Sequence, residues 1–87
     1  MATVRERIII ALGRRVENWE AKAEAAGNEI NWALNAGAKE TDPDELFHYE
    51  VYINFLTDVQ EETLRKLGAA RKTLSKAREA RVTGRLQ

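Results

Sequence analysis

The sequence predicts an all-α fold: an antiparallel two-helix hairpin with a coiled-coil-like seam, dimerising into a four-helix bundle. Three observations lead there. One proline and five glycines in 87 residues, with no alternating apolar-polar run between turn residues, give a helical composition. Two stretches carry helix-start signals. A 3-4 apolar repeat then runs through both of the segments that those signals open.

The first start is Thr3-Val4-Arg5-Glu6, a T-x-x-E capping box in which the Thr hydroxyl and the Glu carboxylate satisfy backbone N–H groups that the first turn leaves unpaired. A helix is expected over about residues 4–36, closed at Asn35-Ala36-Gly37 by a glycine free to turn left-handed. Gly27-Asn28 marks a place for a bend within it. A turn over 37–42 follows. The second start, Thr41-Asp42-Pro43-Asp44-Glu45, combines a capping Asp, a proline at the first helical position and acids on the positive end of the helix dipole. Asp42 and Glu45 also read as a second capping box. The second helix runs to about residue 81, with a frayed tail over 82–87, so that residues 1–87 form a single domain.

A short turn makes the two helices antiparallel neighbours. The first contributes Arg5, Ile9, Leu12, Val16, Trp19, Ala23, Ala26, Ile30 and Ala33 to the seam, and the second Leu46, Tyr49, Ile53, Leu56, Gln60, Thr63, Leu67, Ala70 and Leu74. Folding about the middle of the turn sets Ala33 opposite Leu46, Ile30 opposite Tyr49, Trp19 opposite Gln60 and Leu12 opposite Leu67. Small residues then face large ones, the arrangement that fills a core to native density. Gly13 and Gly68 fall beside the Leu12/Leu67 layer, where missing side chains would let the backbones approach.

The segment DELFHYEVYINFL, Asp44 to Leu56, is apolar nearly all the way round. One side belongs to the seam. On the other, Phe47, Val51 and Phe55 recur every four residues, with Tyr52 and Val59 at the margin, and a hairpin has nothing of its own to cover them. The expectation is a homo-oligomer, a dimer or larger, held by this stripe, with a groove for a different protein as the other use of the same surface. His48 is expected half-buried at that interface.

Charge separates along the chain. Residues 1–16 carry four basic and one acidic residue, 17–62 two and twelve, and 63–87 eight and one. Folding brings both basic segments to one end. A nucleic-acid-binding regulator using Arg14, Arg15, Arg71, Lys72, Lys76, Arg78 and Arg81 is the alternative reading. No aromatic lies among these residues in the sequence to stack on a base, and no recognition motif accompanies them.

A third reading rests on Glu45-Leu46-Phe47-His48. E-x-x-H puts two metal ligands on one helix face, as in di-metal bundles, and Glu29 would have to be the further ligand. The chain has no cysteine, no partnered His and no glycine-rich phosphate loop, so neither an enzyme nor a cofactor is expected. Ile8 to Leu12 is far shorter than the ~20 residues of a membrane span, which leads to the expectation of a soluble, cytoplasmic protein. The reading as a whole is a non-enzymatic protein-protein interaction module that self-associates and serves as adaptor, co-chaperone or inhibitor.

Overall fold

In a computed structural model the chain forms two helices, α1 (Val4–Lys39) and α2 (Pro43–Thr83). The structure describes residues 3–83, with side chains through Glu79; most of the tail expected to fray lies outside them.

Helix α1 begins as the sequence indicates. Thr3 is extended (φ −71°, ψ 166°), its Oγ1 accepts the Glu6 N–H at 3.1 Å and its carbonyl accepts the Arg7 N–H at 3.0 Å. The helix passes through Gly27-Asn28 unbroken and continues past Gly37, the expected stop, to Lys39. Its end is set by Glu40, which leaves the helical region (φ −82°, ψ 139°). The Glu40 N–H donates to the Gly37 carbonyl at 3.2 Å, and its Oε1 accepts the N–H groups of Thr41 and Asp42, each at 3.1 Å. That glutamate holds the three-residue turn and at the same time takes the Asp42 N–H that a capping box would have assigned to Glu45. Asp42 caps α2 as expected, its Oδ1 accepting the Asp44 N–H at 3.0 Å.

The helices run antiparallel, since cross-helix contacts pair rising numbers on α1 with falling numbers on α2: Glu20 with Arg71, Glu29 with Tyr52 and Gly37 with Tyr49. The molecule is a rod of 62 × 21 × 13 Å, as long as the rise of α2's residues at 1.5 Å each. The face assigned to the seam is correct throughout α1, where none of the named positions is exposed. On α2 the exception is Leu46, 37% exposed.

The register differs from the sequence expectation by about one helical turn. Tyr49 meets Trp32 and Gly37 instead of Ile30. Val16, not Leu12, shares the main core cluster with Leu67, Ala70 and Leu74, while Ile9, Leu12 and Trp19 pack against it. The extra turn of α1 moves the hairpin's midpoint toward α2, slides the facing pairs, and leaves Leu46 near the loop partly exposed. Small-against-large packing survives the shift: Ala33 is completely buried, and a Cβ on Gly37 would lie 3.4 Å from the Tyr49 Cβ. Close approach therefore occurs at Gly37 and at Gly27, whose absent Cβ would sit 3.1 Å from the Gln60 amide. Gly13 and Gly68 do not have the expected role, because nothing lies within 4 Å of where their side chains would be.

Candidate functional site

Two surfaces stand out once the seam is accounted for. The first is the outward face of α2. Phe47, Val51, Phe55 and Val59 are exposed by 61%, 50%, 59% and 37%, so the hairpin leaves the aromatic stripe bare. Tyr52 is placed differently. It is half-buried and turned toward α1, donating its hydroxyl proton to Glu29 Oε1 at 2.9 Å. That hydrogen bond first, then burial, then the Glu29 charge raise the Tyr52 phenol above its ordinary 10.0.

His48 is exposed rather than half-buried and its ring lies 6.2 Å from that of Phe47. With Glu29, Trp32, Glu45, Tyr49 and Tyr52 it lines an open hollow of about 420 Å³ at the loop end. Trp32, 54% exposed, stands edge-on to Tyr49 at 6.1 Å and extends the aromatic surface across onto α1. Trp32 lies outside the 3-4 repeat of α1, so the periodicity alone does not single it out. Glu45, His48 and Glu29 thus border one hollow, but Glu29 is engaged by Tyr52, and among the described residues no group of three or more His, Cys, Asp or Glu is placed to hold a metal ion.

The second surface lies in the half that carries the basic segments. Leu12, Arg15 and Trp19 of α1 face Lys66, Ala69, Ala70 and Thr73 of α2 across a groove of about 270 Å³. The ammonium groups of Lys22 and Lys66 lie 4.5 Å and 5.4 Å from the Trp19 ring centroid. Of the seven basic residues named from the sequence, Arg15 shares this groove with Trp19, while the two cations over the ring, Lys22 and Lys66, lie outside that set. Lys66 also meets Glu62 at 3.9 Å, Arg65 pairs with Glu62, and Arg71 pairs with Glu20 at 3.7 Å. Arg14, Arg15, Lys72, Lys76 and Arg78 are exposed and have no carboxylate partner among the described residues. The Arg81 side chain lies outside the described ones.

Among the described residues no helix is long and apolar enough to cross a membrane. No protein-family model matches the sequence, and neither a curated protein nor a solved structure matches it.

Proposed function

We propose that this chain is a non-enzymatic protein-protein interaction module that self-associates through Phe47, Val51 and Phe55, two hairpins packing into a four-helix bundle. The observation that carries the reading is the exposure of these three side chains, each half or more accessible, on successive turns of one helix face.

The thinness of the hairpin supports a second copy as the partner. A rod 13 Å across its shortest dimension has a single layer of seam residues, and no large side chain is fully buried among those described. Secondary structure with an apolar second face is stabilised by another layer packed on it, and chains of this size often gain stability by oligomerising. Full burial of a large apolar side chain contributes about 1.5–3 kcal/mol. Roughly half of that remains available at each stripe position. Six such positions in a two-fold dimer are then comparable to the roughly 4–15 kcal/mol that association costs, which gives a reversible, concentration-dependent dimer. Adaptor, co-chaperone and inhibitor roles all use such a surface.

The test is Phe47→Asp combined with Phe55→Asp. Sedimentation equilibrium should give a monomer whose far-ultraviolet circular dichroism is unchanged, because the seam with α1 is untouched. A double variant that keeps the wild-type mass would assign self-association to another surface and the stripe to a different protein.

A further inference from the structure

We propose that the groove floored by Trp19 binds single-stranded nucleic acid, with a base on the indole and backbone phosphates on Arg15 and Lys66. The site is distinct from the aromatic stripe, so the proposal does not depend on self-association through Phe47, Val51 and Phe55.

Leu12, Arg15 and Trp19 lie at spacings of three and four on α1, and Lys66, Ala69 and Thr73 do the same on α2, so each set lines one face of its helix. Antiparallel packing at the observed register joins the two faces into one groove. Its floor is apolar and aromatic and its walls carry one guanidinium and one ammonium. An electropositive track with an aromatic platform is the combination by which single strands are held without sequence preference.

Two lysines already lie over the indole. Their chains are long and exposed, and a cation at an exposed ring gains less than a stacked base does. A base therefore displaces an ammonium from the ring, and the ammonium moves to a phosphate. Two cations without carboxylate partners continue the track: Lys76 is one turn beyond Thr73 on the same face, and Lys72, one turn before Lys76, lies beside it. The ligand is thus one whose charges are closely and repeatedly spaced. A strand that releases condensed counterions along this track gains at every phosphate, whereas carboxylates of an acidic protein segment would form only solvent-exposed pairs of small individual worth.

The probe is a fluorescently labelled oligothymidylate in low-salt buffer, with binding read by anisotropy. A Trp32→Phe background leaves Trp19 as the sole tryptophan. Binding should quench its emission. Arg15→Gln with Lys66→Gln should lower the slope of log affinity against log salt by about 1.4, two phosphates at roughly 0.7 each. Trp19→Leu, which keeps an apolar side chain against the core, should weaken binding about tenfold. If that variant loses helicity, the charge pair still tests the groove, since both side chains are exposed. The Phe47→Asp, Phe55→Asp protein should bind the oligonucleotide as wild type does. Absence of binding at low salt overturns the proposal, as does binding that leaves Trp19 emission unchanged. Equal affinity for polyglutamate also overturns it and makes the groove a seat for an acidic protein segment.

Discussion

Tyr52 donates its hydroxyl proton to Glu29 across the seam, and only the protonated phenol can do so. Ionised, it would set a second negative charge beside that carboxylate, which is why the folded chain holds the proton to higher pH than the ordinary 10.0. A folded-state pKa above the unfolded one means that the folded chain binds more protons once pH exceeds the ordinary value. Stability then falls with rising pH. The contribution is complete below the ordinary tyrosine range and is lost as pH climbs through the raised value. In a Tyr49→Phe background, where Tyr52 is the sole tyrosine, the phenolate absorbance should rise at higher pH than it does for free tyrosine. Glu29→Gln should bring it down. Coincidence of the two titrations would mean that the hydrogen bond is not maintained in solution. Part of this residue-scale chemistry was legible in sequence: Thr3 and Asp42 cap because their short oxygen-bearing side chains reach the next turn's N–H groups. Glu40 was not, because glutamate is not a typical stop residue and its role depends on a turn that folds its carboxylate back over Thr41 and Asp42.

The two helices owe their start points to these caps and their packing faces to the 3-4 repeat, and both were readable. The register was not. It depends on where α1 ends, and a glycine stops a helix only if the chain there turns left-handed. Gly37 stays helical because its bare Cα is what Tyr49 packs on. One extra turn then moved Trp19 from Gln60 to Lys66, so the basic groove could not be read from the linear sequence. The aromatic stripe could, because Phe47, Val51 and Phe55 share a face of α2 whatever α1 does. The glycines give the test at this scale. Gly13 and Gly68 lie within helices with open space around them, so alanine gains helix propensity without a clash. Gly13→Ala and Gly68→Ala should each stabilise the hairpin by about 0.8–1 kcal/mol, raising Tm by roughly 4–8 °C. Gly37→Ala should gain less, since its new methyl meets the Tyr49 Cβ, an atom close to the backbone. A drop in Tm for Gly13→Ala or Gly68→Ala would place another chain against that glycine.

At the scale of the whole molecule, charge decides how two hairpins can meet. The segment 17–62 is net −10, while 1–16 and 63–87 are +3 and +7, and the antiparallel fold places the described residues of both basic segments together at the end away from the loop. The stripe from Phe47 to Phe55 lies in the acidic half. A two-fold dimer through it brings like charges together, with Glu50 and Asp58 at the rim and the basic ends directed outward, where both Trp19 grooves stay open. Apolar burial must then overcome repulsion, which salt screens: the Debye length is about 10 Å at 0.1 M and about 3 Å at 1 M. Added sodium chloride should therefore tighten the dimer, and sulfate should tighten it further by strengthening apolar burial. A head-to-tail arrangement, acidic half against basic end, is held by the attraction that salt removes and would loosen instead. Sedimentation equilibrium across a salt series separates the two while circular dichroism checks that helicity is constant. Dissociation on adding salt would reject the two-fold bundle, since attraction between opposite charges would then be holding the copies together and the basic grooves would be covered by a neighbour's acidic half.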